Sequence, residues 1–240
     1  MRNTAQWRPT KVNLSPDGHL RVPGDPASLA AGSTLMATLI ARWYRQVLAQ
    51  HARGVLVELG GGRMPYYALY RSLVDQTWCT DWPQSLHEQA HADFFSDLNA
   101  GLPLRSESAD TLLAADVLEH IYRPQALLAE MFRVLKPGGT ALVNTPFLYW
   151  VHEAPHDYFR YTQHAWARMA ADAGFEALRV DAIGGSVCVL ADITGKLLHR
   201  APLVGRPLVR AMQRAVLALH APLPASASMP LFVGAVLRKP

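Results

Sequence analysis

Two stretches of the sequence gather side chains able to do chemistry. The first is Val55-Leu56-Val57-Glu58-Leu59-Gly60-Gly61-Gly62, an apolar run that carries an acid and then breaks into glycines. Glycine has no Cβ, so such a turn can take positive φ and let a ligand lie against the main chain. The second is Thr145–Thr162, which packs His152, Glu153, His156, Asp157 and Arg160 among aromatics such as Phe147, Tyr149, Trp150, Tyr158 and Phe159. Histidine titrates near neutral pH, so His152 and His156 are candidate general bases, with Asp157 placed to orient one of them. The competing reading is a structural lid in which Asp157 pairs with Arg160 and the histidines are hydrogen-bonded spacers. The types His152, Glu153, His156 and Asp157 also suit a metal, with histidines at i and i+4. Pro155 argues against the helix that this spacing would need, so no metal site is expected.

The acids narrow the ligand of the glycine loop. The position three beyond Gly62 is Pro65, so the G-x-G-x-x-G dinucleotide fingerprint fails, and Arg63-Met64 does not complete a P-loop. Asp81 lies 23 residues after Glu58, at the expected end of a second strand, where a carboxylate can accept from a ribose diol. Asp97 would end a third strand and could accept from an adenine amino group. Trp82, Leu98 and Val117 are placed to sandwich the base. Each acid has a plainer reading as a solvated loop carboxylate or a helix cap.

The elements that must position these residues alternate. Ser28 to Gln50 reads as a helix, with apolar residues from Leu29 to Leu48 at helical spacing, stopped by Gly54. The glycine-loop strand follows. Helix Pro65–Leu73, a strand near Thr77–Thr80 and a short helix from Pro83 come next. Ala92–Leu98 reads as a strand end and turn, and Thr111–Ala115 as a strand ending at Asp116. A helix over Pro124–Leu135 is expected to stop at Pro137-Gly138-Gly139, before strand Thr140–Asn144. Thr162 caps a helix to Ala173 with Gly174 just past its end. Strand Glu176–Asp181, a helical elaboration at about 184–228 and strand Leu231–Leu237 complete the chain. This alternation predicts an α/β fold, a parallel sheet with helices on both faces. Residues 1–27, with Pro9, Pro16, Pro23, Pro26 and Asp17-Gly18, read as an irregular N-terminal arm preceding one domain over 28–240.

Composition sets the class. The chain has 240 residues, 50% hydrophobic and 18% charged, which is globular in character. A net charge of +4 is too mild to argue for nucleic acid. Cys79 and Cys188 make no disulfide framework and suit a reducing compartment. The N-terminal arm shows no apolar signal-peptide core, and no stretch approaches the roughly 18 apolar residues of a membrane span. A cytoplasmic location is expected.

Val55–Gly62, Asp81, Asp97-Leu98, Asp116-Val117-Leu118-Glu119-His120 and Arg133–Gly139 together resemble the class I S-adenosylmethionine-dependent methyltransferases, nearest the bacterial type-11-like branch. Pro146, Phe147, His152, Pro155, Asp157, Tyr158, Arg160, Tyr161 and Thr162 match a segment of that branch. The resemblance covers about residues 50–183 and the last strand. It implies a Rossmann-like seven-stranded sheet, mostly parallel with an antiparallel last strand, and S-adenosylmethionine across its carboxyl edge. It further implies that Gly60 and Gly62 pass the methionine moiety, that Glu58 orients the loop and the cofactor amino group, and that Asp81 holds the ribose. Asp97 and Leu98 would meet the adenine, and Asp116 and Val117 would line the cofactor floor. Glu58 stands where many members have Asp. Gly61 is expected only to loosen the loop.

The acceptor is the open question. O-methylation of a small molecule, sugar or lipid-linked glycan, with His152 as base, is the first expectation. Carbon methylation of a quinone-like or lipid acceptor shares every cofactor residue. A non-catalytic S-adenosylmethionine-binding module is the reading from another class. Arg206, Arg210 and Arg214 share one helical face among Leu203, Val204, Leu208 and Val209. Such a face suits an anionic acceptor or peripheral contact, through 196–219, with the inner face of a membrane. A solvated surface is the plainer reading.

Overall fold

A computed structural model describes residues 1–22, 29–85, 87–198, 201, 204–220 and 228–240. The main sheet has strands β1 (Val55–Leu59), β2 (Gln76–Asp81), β3 (Phe94–Phe95), β4 (Ala109–Ala115), β5 (Leu135–Pro146), β6 (Glu176–Ile183) and β7 (Phe232–Arg238). Their order is β3-β2-β1-β4-β5-β7-β6. The pairs from β3 through β5 are parallel, and β7 runs antiparallel to both β5 and β6. The order reverses at β1, with β2 on one side and β4 on the other. In open α/β sheets the crevice at such a reversal, outside the carboxyl ends of the strands, is where ligands bind.

The helices are α1 (Thr34–His51), α2 (Tyr67–Tyr70), α3 (Pro124–Val134), α4 (Gln163–Asp172), α5 (Ser186–Leu198) and α6 (Gly205–His220). Two apolar clusters cover the sheet's faces. One gathers α1 and α2 with Leu56, Leu113 and Leu142; the other gathers α3 and α4 with Val57, Leu59, Leu112 and Val143. Alternate residues of β1 therefore enter different clusters, as a strand buried on both faces requires. The Thr162 hydroxyl accepts from Ala165 N–H, the expected N-cap of α4.

Several boundaries differ from the sequence reading. A 3-10 turn, Ala31–Ser33, precedes α1, and Ser28 lies outside the described residues. The helix expected over Pro65–Leu73 is one turn, α2, and no helix begins at Pro83 among the described residues. β3 ends at Phe95, so Asp97 lies beyond the strand rather than at its end. Helix α3 gives way to β5 directly at Leu135. Lys136–Gly139 forms an irregularity inside that strand, because the partner of Leu135 is Ala109 and the partner of Thr140 is already Thr111. The described part of the arm is built rather than irregular. It holds a 3-10 turn at Thr4–Gln6 and a two-stranded hairpin, Asn13–Leu14 with Leu20–Arg21. Trp7 and Val12 are buried, and Trp7 Nε1 donates to Met64 O at 3.2 Å. Residues 23–27 of the arm, Leu203, and 221–227 of the elaboration lie outside the described residues.

Candidate active site

Register places the acids. Leu59 pairs with Thr80 on one side and Ala114 on the other, so the glycine loop, Asp81 and Asp116 leave the sheet side by side. Gly60 and Gly62 have φ of 61° and 50°, in the left-handed region that glycine enters without strain. A Cβ on Gly60 would stand 2.8 Å from Val117 Cγ2. Gly61 corrects the sequence expectation. It does not loosen the loop: a Cβ there would meet Cys79 Sγ at 2.5 Å, and its N–H donates to Thr80 O at 3.0 Å. Only a bare backbone lets the loop lie this close to β2.

Glu58 is buried and accepts from the Tyr70 hydroxyl. Burial raises its carboxyl to about 8, although the Tyr70 hydrogen bond pulls the other way; the charge of Asp81 adds to the rise. An unfolded-chain glutamate titrates near ~4.3. The folded form thus prefers Glu58 protonated, and that stability is complete below the unfolded value and is lost as pH rises towards 8. Glu58→Gln is expected to weaken the loss of stability between pH 5 and 8, by up to about 1.4 kcal/mol per pH unit. Urea denaturation at both pH values checks this; an identical pH dependence in the variant contradicts it.

Asp81 is 6% exposed. Its Oδ1 accepts from Trp82 N–H at 2.8 Å, while the buried Oδ2 has no hydrogen-bond partner. Burial raises the carboxyl. Asp116 has φ 55° and accepts from Asn144 Nδ2, and Lys11 of the arm stands 3.9 Å from its Oδ2. Leu98 and Val117 are each 7% exposed and share one apolar cluster. Trp82 is half-buried, its ring edge-on to His156 at 5.1 Å. Asp97 stands apart: it is exposed, and its Oδ1 accepts from Asn99 N–H and Nδ2 at 2.9 and 3.1 Å within its own turn.

The 147–162 segment packs over this edge. Tyr158 and Phe159 N–H groups donate to Glu119 O at 2.8 and 3.3 Å, and the Tyr161 hydroxyl donates to Leu118 O at 3.0 Å. Asp157 accepts from both Arg160 terminal nitrogens at 2.6 and 2.7 Å and from His152 N–H at 2.8 Å. Burial opposes its charge, but Arg160 and the His152 amide hold its carboxyl down at about 2. The Asp157–Arg160 pair is thus a brace. It stands behind His152, whose Nδ1 faces Asp157 Oδ2 at 3.2 Å and whose Nε2 faces Glu119 Oε1 at 3.8 Å. Burial, then the neighbouring His120, lowers the His152 imidazole. His156 is exposed, with Nδ1 3.1 Å from the Tyr158 hydroxyl. His87 Nε2 lies 3.0 Å from Glu153 Oε1, which joins this segment to the loop after β2.

Three participants escaped the sequence reading. Tyr70 partners Glu58, His87 fastens Glu153, and Glu119 lies fully buried behind two histidines. Glu119 served there only as part of the Val-Leu-Glu-His pattern, because nothing local shows that a later segment covers it.

These residues suit S-adenosylmethionine. An orphaned, buried Asp81 oxygen is an acceptor for ribose hydroxyls, and the bare Gly60–Gly62 backbone is a cradle for the methionine part. Residues 57–143 match the family model described as a methyltransferase domain. An uncharacterized methyltransferase of Mycobacterium ulcerans is 32% identical over 132 residues, covering 50% of this chain and 51% of that protein. The chain thus spans about half the length of the curated relatives it matches. The solved structure of a S-adenosylmethionine-dependent methyltransferase from Archaeoglobus fulgidus superposes with TM-score 0.56 at 14% identity, over 84% of this chain and 94% of that one. The 4+2 cyclase SpnF superposes with TM-score 0.57 at 20% identity, over 83% and 81%. At such identities the likeness is one of fold, and it is the matched sequence that carries the family. Sheet order, glycine loop and the match over residues 57–143 together make the chain similar to the class I S-adenosylmethionine-dependent methyltransferases.

Proposed function

We propose that the chain transfers the methyl group of S-adenosylmethionine to an oxygen of a small molecule, sugar or lipid-linked glycan, and that His152 activates that oxygen. The observation that carries this is the placing of the imidazole: His152 is half-buried, lowered towards its neutral form, held by its backbone N–H to Asp157, and has Nδ1 3.2 Å from that carboxylate. The cofactor supplies an activated sulfonium methyl when bound. The chain's own work is to hold it, through Asp81, the glycine loop and Glu58, and to align and deprotonate the acceptor. Asp97, free to leave its turn, and Leu98 would meet the adenine, with Trp82 and Val117 against the base and Asp116 on the floor. His156, at the rim beside Trp82, is placed to orient the acceptor. Lys196 supports the segment from behind, with Nζ 3.5 Å from the centre of the Tyr149 ring.

Two features favour an anionic, lipid-linked acceptor and contact with a membrane surface. Helix α5 exposes Val187, Leu190, Ile193 and Leu197, an apolar stripe at helical spacing, and α6 exposes Arg206, Arg210 and Arg214. A cavity of about 510 Å³ between α1, α6 and the hairpin is lined by Arg42, Arg45, Arg210 and Arg214 beside Leu20 and Leu217. No helix among the described residues is long and apolar enough to cross a membrane. The test supplies ¹³C-methyl S-adenosylmethionine with lipid-linked and water-soluble acceptors and reads the methyl shift by NMR. An O-methyl signal in the lipid fraction, with salt-sensitive flotation on anionic vesicles, is expected. A C-methyl signal would replace this reading with carbon methylation, and binding without any transfer would favour the non-catalytic module.

A further inference from the structure

We propose that Glu119, His120 and His152 form a site for one divalent transition-metal ion, held by two imidazole nitrogens and a carboxylate. One ligand atom from each lies within 4.8 Å of the others. Glu119 Oε1 is 3.8 Å from both His120 Nε2 and His152 Nε2. Ligand atoms on a tetrahedral zinc-like ion, each at about 2.1 Å, stand about 3.4 Å apart. For the two carboxylate–imidazole pairs the gap to be closed is about 0.4 Å, and the two imidazole nitrogens lie within 4.8 Å of each other.

Glu119 points to a cation independently of these distances. It is 0% exposed, and neither carboxylate oxygen has a hydrogen-bond partner. A carboxylate buried without a partner is costly, and both imidazoles face it at 3.8 Å. The His120 imidazole is already turned for ligation. His120 Nδ1 is 2.7 Å from His156 O, and a carbonyl can only accept, so Nδ1 carries the hydrogen and a neutral ring presents its Nε2 lone pair to Glu119. His152 Nδ1 is buried 3.2 Å from Asp157 Oδ2 without a hydrogen bond between them, and Arg160 fixes Asp157. Carboxylate or carbonyl partners behind metal-binding histidines orient the ring and raise its basicity. Imidazole favours zinc, copper, iron or nickel over calcium or magnesium. Three protein ligands leave a position open, the arrangement of catalytic rather than structural sites.

The expectation of no metal considered only ligands within the segment 152–157. The carboxylate comes instead from the turn after β4, and the covering segment brings His152 to it. The use of the ion rests on the functional reading above. With the ion bound, an acceptor hydroxyl at the open position would lose its proton to solvent more readily, and the free-base role of His152 belongs to the metal-free chain.

The test uses untagged full-length protein, stripped with chelator and titrated with Zn²⁺ by calorimetry and with Co²⁺ by visible absorption. One ion per chain is expected, with a ligand-field spectrum and release of protons on binding. Glu119→Gln, which keeps size and shape, and His152→Gln are expected to weaken binding at least 10-fold. No stoichiometric binding, or an isotherm unchanged in both variants, overturns the site. S-adenosylhomocysteine is titrated into the same samples. Its binding without metal binding sinks the metal site alone; metal binding without it supports the site and sinks the methyltransferase reading.

Discussion

Asp81→Asn is expected to weaken S-adenosylhomocysteine binding by about 100-fold or more while leaving the ligand-free protein as stable as before, or more so. The two halves follow from one geometry. Asp81 Oδ2 is buried and unpartnered, and burial outweighs the help that Trp82, Ser85 and His87 give the charge, so the ligand-free fold bears a net cost. Asparagine keeps the shape and the acceptor to Trp82 N–H but removes the charge. A hydrogen bond to a charged group contributes about 1.5–3 kcal/mol, and a ribose diol offers two donors, which sets the size of the loss. Calorimetric titration and thermal melting of the same preparations check this. A variant that melts lower and binds unchanged would make Asp81 a structural acid.

The second large effect is on turnover. His152→Ala is expected to lower kcat by about 10²–10⁴-fold, the usual contribution of a positioned base, with cofactor affinity within a few-fold of wild type. The separation is physical. His152 contacts Glu119, Asp157 and His120, while the glycine loop is held by β2 and Val117. In metal-free protein the His152 imidazole is lowered, so the wild-type rate should rise with pH and level off below the ordinary histidine value, and the variant should lack that limb. His156→Ala is expected to have the smaller effect, because its ring lies at the exposed rim. Full turnover in His152→Ala on the true acceptor would remove the residue from the chemistry.

Much of the sheet was legible because its strands announce their ends. β1 and β4 each run apolar into a glycine or an acid at the carboxyl edge, β2 ends on Asp81, and Lys136-Pro137-Gly138-Gly139 marks the passage from α3 into β5. The short elements were not. Pro65 and Pro83 are good helix starters, yet α2 is one turn and no helix begins at Pro83 among the described residues; after Pro65 the packing of Met64, Tyr66 and Tyr70 decides the stretch rather than local propensity. Gly61 was misread for a related reason: its need for a bare backbone comes from Cys79 on the neighbouring strand, which no local pattern displays. The candidate site divides in the same way. Glu58, Gly60, Gly62, Asp81 and Asp116 follow from strand ends, and the register assembles them. Glu119 acquires its character from Tyr158 and Phe159, whose amides tie the later segment over it from nearly 40 residues along the chain. Asp97 is the opposite case: a strand end in the sequence, but an exposed turn carboxylate in the fold.

Titration of the full chain with S-adenosylhomocysteine tests the central claim most directly. One site per chain, a melting temperature that rises with ligand and a loss of both in Asp81→Asn are predicted. No heat and no shift in the wild-type protein, or saturable binding of a nicotinamide dinucleotide in its place, would contradict it.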